Sequence, residues 1–361
     1  MPTHILGLET SCDETAASVV RDDGAILSNV VSSQHDLHER FGGVVPEIAS
    51  RAHLERLLPV VRAAAADAGL TLGQVDAIGV GNRPGLIGSL IVGTSAAKAL
   101  AWSLNKPLLG IDHVQAHLYA ARLHEPSQGT PMPLIRYPAL GLVVSGGHTS
   151  LYAVQSPLQM QLLGRTIDDA VGEAYDKAAV ILGAGYPGGP NIDKLARQGT
   201  ADPHRFPQSM LGKTSLDFSF SGLKTALLYA VRGKPAGRGK DAHFEQDHTA
   251  LSQQERADLA ASFQHAVVAT ILKKVERATY TLTDQAQNPK SILVGGGVSA
   301  NSLLRERLGD YALQNNTPLH LPELPVCVDN AAMIAGLAHE RLKHGEQDDL
   351  SLPVIATTAL N

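Results

Sequence analysis

Cysteine is scarce in this chain of 361 residues: only Cys12 and Cys327 occur, far apart and in no Cys-x-x-Cys pair. A reduced, cytoplasmic protein is the economical reading. Aromatic residues make up only 4%, so base-stacking platforms for nucleic acid are not conspicuous. Basic residues do not outnumber acidic ones, with 30 Lys and Arg against 35 Asp and Glu for a net charge of -5. Without a global basic field, an RNA partner needs a local patch or a helper protein. No apolar run approaches the roughly 18–20 residues of a membrane span, and no basic-then-apolar leader opens the chain, so neither insertion nor secretion is expected. A phosphate-binding signature is missing as well. The glycine loop 81–88 is not followed by Gly-Lys-Ser/Thr and is no good dinucleotide fingerprint.

What is present is an ordinary globular composition, 44% hydrophobic and 18% charged, with a length that suggests two domains. Strands are expected at His4–Leu8, Ala16–Arg21 and Ala25–Ser33, the last two joined by an Asp22-Asp23-Gly24 turn. A helix at Pro46–Ala66, a strand at Val75–Val80, a helix at Ser89–Leu104 and a strand at Pro107–Ile111 follow. The glycine loop before the second helix has the geometry that presents helix N-terminal amides to an anion. Beyond a proline-marked linker, Ser127–Pro138, the stretch Leu140–Val154 aligns with Leu6–Val20 without a gap, six of 15 positions being identical. Read as a repeat, this makes the two lobes versions of one unit, each opening with a strand, polar turn and strand aimed at a shared cleft. Helices are expected at Asp168–Leu182, Ile192–Arg197 and Leu259–Tyr280. A strand at Ser291–Val294 ends in Gly295-Gly296-Gly297, and a short strand at Leu319–Leu321 precedes a last, alanine-rich helix at Ala331–Lys343. The polar stretch Gly233–Gln253 reads as an exposed insert.

The chemistry centres on His113 and His117. At i and i+4 on the helix after the Pro107–Ile111 strand, they share one face and can converge on one ion. The competing reading is an incidental or hydrogen-bonded pair, and a third ligand decides between them. Asp329 is the candidate carboxylate; helix N-capping is its competing role, with Asn330 a rival for that role. Two histidines and one carboxylate with open positions suit iron(II) or zinc better than magnesium. A zinc-protease reading fails, because Val114 stands where the general-base glutamate is required. The turn Glu9–Thr15 either binds a phosphate, places a carboxylate near a metal, or satisfies its own backbone. Ser145-Gly146-Gly147 lets the backbone approach a phosphate closely.

Taken in order, Glu9–Thr15, Gly42–Glu47, His113-x-x-x-His117, Val143–Thr149, Glu173–Lys177, Tyr186–Pro190, Ser219–Thr225, Gly295–Asn301 and Asp329-Asn330 resemble the universal tRNA threonylcarbamoyladenosine family. That family is the TsaD (formerly Gcp) branch of the actin/sugar kinase/chaperone-ATPase superfamily. The resemblance implies an α/β, two-lobed actin-like fold with duplicated lobes and a central cleft. Residues 1–112 would form the N-terminal lobe, with helix 330–345 packing back near the cleft, and residues 113–329 the C-terminal lobe. It implies transfer of a threonylcarbamoyl group from threonylcarbamoyl-AMP to the exocyclic amine of the adenosine just 3′ of the anticodon, in tRNAs reading codons that begin with A. By position, His113, His117 and Asp329 correspond to the ligands of one divalent metal, Fe(2+) first and Zn(2+) second. Val143, Val144, Ser145, Gly146, Gly147, Asp176, Gly189 and Asn301 correspond to adenylate-binding positions. The partners implied are tRNA, a pseudo-enzyme paralogue (TsaB), an ATPase helper (TsaE) and a synthase making the adenylate, with no membrane.

The residues agree with such a transfer. AMP is already a good leaving group, so the protein must position the amine and stabilise developing oxyanion charge. Gly146 and Gly147 amides would hold the phosphate, Asp176 a ribose hydroxyl, and Asp13, Glu14 or His148 would take the amine's proton. Two departures stand out. Arg83-Pro84-Gly85 replaces the family's Gly-Pro-Gly, so an arginine either clamps a phosphate or disturbs the loop, and Ala116 replaces a glycine between the histidines. The rival readings are an ATPase or phosphotransferase of the same superfamily, which leaves the histidine pair no task, and a nucleotide-gated scaffold that binds tRNA or a partner without chemistry.

Overall fold

The computed structural model describes residues 2–41, 43–126, 133–209, 211–236, 244 and 246–358. Gly42 of the Gly42–Glu47 motif, residues 127–132 of the expected linker, and 237–243 and 245 of the expected insert lie outside the described residues. Strands β1 (His4–Glu9), β2 (Glu14–Arg21) and β3 (Ile26–Ser33) come first, then helices α1 (His35–His38) and α2 (Pro46–Asp67). With β4 (Ala77–Arg83), α3 (Ile87–Leu104) and β5 (Leu108–Asp112) they complete a five-stranded sheet ordered β3-β2-β1-β4-β5. Helix α4 (His113–Tyr119) leads to β6 (Ala139–Val144), β7 (Thr149–Ser156), β8 (Gln159–Arg165), α5 (Val171–Leu182), α6 (Gly188–Ala196) and α7 (Ser221–Arg232). The chain ends with α8 (Gln253–Asp284), β9 (Ile292–Gly295), α9 (Ser302–Gln314), β10 (Leu319–His320) and α10 (Ala331–Lys343).

The second sheet, β10-β9-β6-β7-β8, is the first read backwards. In each, a central strand pairs antiparallel with its hairpin partner and parallel with the strand that follows a helix. The register repeats too: Ile5 faces Val20 and Leu6 faces Val19, as Ala139 faces Val154 and Leu140 faces Ala153. These are the positions that the ungapped alignment superposes, so the sequence repeat is a structural one. The hairpins are buried on both faces, which is why they read as apolar runs and not as alternation.

Several elements differ from expectation, among them α6, which begins at Gly188 and not at Ile192; three more have local reasons. Strand β8 was not expected, because it lies at the sheet edge with Gln159 and Gln161 exposed and carries little apolar signal. Helix α5 begins at Val171 because the Asp168 carboxylate is taken by Ser219, Ser221 and the Phe220 amide. Helix α8 begins earlier, at Gln253, where Ser252 and Glu255 form a capping box ahead of a polar first turn. Contrary to the expectation that no apolar run reaches membrane-spanning length, α3 has 18 residues at a mean hydropathy of 1.3 and meets that test by length and composition. Its Leu90, Ala97 and Ala101 pack into the first lobe, whereas Ile91 and Trp102 are exposed.

Helix α10 lies against the first sheet, where small residues let the backbones come close. A Cβ on Gly7 would sit 2.7 Å from the Ala335 nitrogen and 2.9 Å from its Cβ, and one on Gly79 would sit 2.7 Å from Ala338 Cβ. The alanines of α10 are therefore the complement of glycines in β1 and β4. After α10 the tail follows β5, with Asp348 accepting from the Gly110 amide at 2.7 Å and Leu352 entering the core, so that this sheet edge is covered. Gly7→Ala is expected to lower stability by about 1–3 kcal/mol through forced displacement of α10, read as a shift in the urea midpoint at unchanged slope.

Candidate metal centre and interlobe cleft

Helix α4 starts directly at the end of β5 because Asp112 caps it. Its Oδ1 accepts from the amides of Val114 at 3.0 Å and Gln115 at 3.2 Å. His113 therefore stands at the strand–helix junction, with His117 one turn on, and both are buried. Gly295, at the end of β9, makes room for this helix, since a Cβ there would lie 3.1 Å from His117 Cβ. The two imidazoles meet edge to face, with centroids 4.6 Å apart.

Asp329 precedes α10, and the competition for the helix cap is resolved in favour of Asn330, whose side chain accepts from the Met333 amide at 3.0 Å. Asp329 is thereby free to turn to the histidines: its Oδ1 lies 3.5 Å from His113 Nε2 and 3.2 Å from His117 Nε2. One ligand atom from each of the three residues lies within 4.8 Å of the others. Glu9, which the sequence reading left among the polar residues of its turn, completes the surroundings. Its Oε2 lies 3.0 Å from His113 Nδ1, and its Oε1 accepts from the Ser11 amide at 2.5 Å. A carboxylate behind Nδ1 leaves Nε2 to face Asp329, the arrangement by which ligand histidines are oriented. A glutamate closing an otherwise buried strand was the available signal.

The electrostatics ask for a cation. Burial works against a charged His113, but Asp329 and Glu9 outweigh it and its pKa is pushed up to about 9. Burial and the neighbouring His113 push His117 down. Burial also opposes ionisation of Asp329, yet His113 and His117 hold its carboxyl well below the usual range. Neither ring nitrogen of His117 makes a hydrogen bond among the described residues; Nε2 is close enough to Asp329 for an ion pair but not aligned for one. Two buried imidazoles facing one carboxylate fit a divalent metal.

The centre opens onto a cleft of about 1180 Å³. Ser11, Cys12, Asp13 and Glu14 line it from one turn, and Ser145, Gly146, Gly147 and His148 from the matching turn of the second hairpin, with Asp176 nearby. A Cβ at Gly146 or Gly147 would meet nothing within 4 Å, so both glycines leave open space. Asp176 Oδ1 accepts from the Gly188 amide at 2.8 Å, tying the cleft wall to the start of α6. Burial raises the Asp176 pKa. Burial, then Asp13 and Asp329, raise Glu14 well above the carboxylate range, while burial and the His113 and His117 rings push His148 down to about 4.

Other sequence-derived positions are not brought to the cleft by their side chains. Val143 and Val144 are wholly buried in the core, leaving only their main chain for a ligand. Asn301 donates to Gln264 at 2.8 Å and Asp193 at 3.3 Å and caps α9 through Leu304, so its amide is occupied elsewhere. Gly189 sits in the first turn of α6 with open space beside it but does not line the cleft. Arg83 Nε lies 3.7 Å from Asp112 Oδ2 and the residue is not among those lining the cleft, while the pairing of β4 with β5 shifts register between Gly81 and Arg83.

Two duplicated lobes around a cleft define the class, an actin-like ATPase fold. Solved structures agree. HypF from T. kodakarensis matches with a TM-score of 0.58 at 16% identity, over 97% of this chain and 49% of that one. Component A of (R)-2-hydroxyglutaryl-CoA dehydratase from Acidaminococcus fermentans matches with a TM-score of 0.50 at 10% identity, over 94% and 99%. Within that class the chain belongs to the TsaD family, described as tRNA N6-adenosine threonylcarbamoyltransferase, whose model matches residues 25–336. Proteins of that name from Trichlorobacter lovleyi and Symbiobacterium thermophilum are each 46% identical to it, over 99% and 97% of this chain and 97% and 95% of theirs.

Glu9→Gln is expected to weaken metal binding about 10–100-fold while leaving the fold intact. Titration of the metal-free variant with Fe(2+) or Zn(2+), followed by calorimetry, measures this.

Proposed function

We propose that this chain transfers the threonylcarbamoyl group from threonylcarbamoyl-AMP to the exocyclic amine of the adenosine just 3′ of the anticodon, as a metal-dependent acyltransferase that modifies tRNA. The carrying observation is the convergence of His113, His117 and Asp329 at a cleft walled by two equivalent turns. A bound divalent metal, Fe(2+) before Zn(2+), supplies Lewis-acid polarisation of the substrate's carbonyl or phosphate oxygen. His113, His117 and Asp329 would hold it, with Glu9 Oε2 at 3.0 Å from His113 Nδ1 fixing the first ring. The open space at Gly146 and Gly147 suits close approach of the adenylate phosphate to main-chain amides. Main chain at Val143, Val144 and Ser145 continues that wall, and Asp176 faces a ribose hydroxyl. Gly189 and Asn301 act in this reading through the position of α6 and α9, not by direct contact.

The amine's proton goes to His148, Asp13 or Glu14, all three of which line the cleft. Burial and the His113 and His117 rings push the His148 pKa down to about 4, which keeps its ring neutral with a lone pair available, whereas burial, Asp13 and Asp329 raise that of Glu14. Residues 1–112 with helix 330–345, and residues 113–329, form the two lobes in this reading. The net charge of -5 favours a helper in tRNA binding, and we place TsaB, TsaE and an adenylate synthase as partners in the cytoplasm.

The purified chain is expected to carry stoichiometric iron and to modify unmodified tRNA when given synthetic threonylcarbamoyl-AMP and its partners. His113→Ala/His117→Ala should lose both properties. Transfer retained in that metal-free variant would overturn the metal assignment, and phosphate release from ATP alone, without transfer, would favour an ATPase. Replacing the proton acceptor lowers kcat by about 10²–10⁴ with metal retained. His148→Asn and Asp13→Asn, measured side by side, assign it.

A further inference from the structure

Behind the Cys12–Glu14 wall of the cleft lies a buried polar cluster that the transfer chemistry leaves without a task. Thr15, Gln34, His38 and His53 are each at most 1% exposed. His53, on α2, reaches both the turn between β1 and β2, at Cys12, and the start of β2, at Thr15. Its Nε2 lies 3.0 Å from the Cys12 carbonyl and its Nδ1 lies 2.7 Å from Thr15 Oγ1. A carbonyl only accepts, so Nε2 carries the proton and Nδ1 accepts from the Thr15 hydroxyl. Burial lowers the pKa of His53, which keeps the ring in this neutral form.

The cluster fixes its own orientation. The Val45 amide donates to His38 Nδ1 at 3.2 Å, so His38 Nε2 donates to Gln34 Oε1, also at 3.2 Å. Gln34 Nε2 is thereby turned toward the Ala49 carbonyl and the His53 ring. The main chain of Gln34 donates to the Asp13 carbonyl at 3.0 Å, and that of Leu86 to the Ser11 carbonyl at 2.9 Å. The carbonyls of residues 11, 12 and 13 are thus tied to three different segments, and His53 is the one side chain among these ties.

We infer that His53 is a positioning residue: one imidazole clamps the segment Cys12–Thr15 at its two ends, where the turn enters β2, and so holds Asp13 and Glu14 against the cleft, opposite Gly146–His148. The kinetic consequence rests on the transfer reading above. The clamp itself does not, because hydrogen exchange reports it in the absence of any reaction. A histidine that merely fills the core would be replaced without kinetic loss by an apolar residue of similar size.

The test uses the full, metal-loaded chain carrying His53→Leu or His53→Gln. His53→Leu is expected to lose kcat about 100-fold with KM for threonylcarbamoyl-AMP within about threefold of native. Its metal content should be unchanged, and the Gln34 and Leu86 amides should exchange faster than in the native chain. His53→Gln, which keeps one donor and one acceptor, should recover kcat to within about tenfold and restore slow exchange. The inference is overturned if His53→Leu keeps kcat within about threefold of native, or keeps both amides as protected as native. Should His53→Leu fail to fold, Thr15→Val removes only the hydroxyl and is expected to lower kcat about tenfold; no loss there overturns the clamp. If the native chain shows no transfer, the functional reading fails, while the amide exchange still decides the clamp.

Discussion

One carboxylate oxygen of Asp329 reaching between two buried imidazoles is the constraint on which the rest of the structure depends. At 3.5 Å from His113 and 3.2 Å from His117, with both rings out of water, the arrangement requires positive charge at its centre. The requirement propagates outward through the fold. Asp112 and Asn330 take the two helix caps, so that neither His113 nor Asp329 is diverted to backbone amides. Gly295 clears the approach of α4, and Gly7 and Gly79 clear that of α10. Each of these residues brings in a ligand-bearing segment from a different part of the chain.

The cleft is made by a repeated frame that carries unlike chemistry. Both hairpins share sheet order, strand direction and register, so their turns occupy equivalent places. The aligned positions at the turn are Cys12, Asp13 and Glu14 in the first hairpin and Gly146, Gly147 and His148 in the second. Acidic groups stand on one side and open main chain on the other. A symmetric scaffold thus yields an asymmetric site, as a group donor and a nucleophile must be handled differently.

Much of this was legible in the sequence. The last helix, Ala331–Lys343, has the bounds that its periodicity and cap residues imply, and the ungapped match at Leu6–Val20 and Leu140–Val154 marked the duplicated register. The histidine pair could be placed because i,i+4 spacing fixes a helix face. What was hidden depended on contacts that local sequence does not encode. Asp329 and Asn330 are both good caps, and only the reach of Asn330 to Met333 decides which one is left over. Glu9 looks like one more polar turn residue until His113 is brought against it. The sequence left Arg83 between clamping a phosphate and disturbing its loop, and could not show that the end of β5 places Asp112 beside it. Asn301 is drawn off by Asp193 and Gln264, partners from two other helices.

The acidic side of the cleft poses a structural difficulty of its own. Glu9, Asp13, Glu14 and Asp329 gather at one end, and burial together with Asp13 and Asp329 raises the Glu14 pKa. Repulsion of this kind tends to open a turn, and a nearby lysine or arginine would relieve it only by placing countercharge beside His113, His117 and Asp329. The turn is instead restrained by neutral donors: the amides of Leu86 and Gln34 and the uncharged imidazole of His53 hold three successive carbonyls. Hydrogen bonds to the main chain resist the opening without supplying countercharge, so the negative potential remains focused on His113, His117 and Asp329. A buried neutral histidine suits that position better than any charged residue, because it ties down an acidic loop while leaving its field intact.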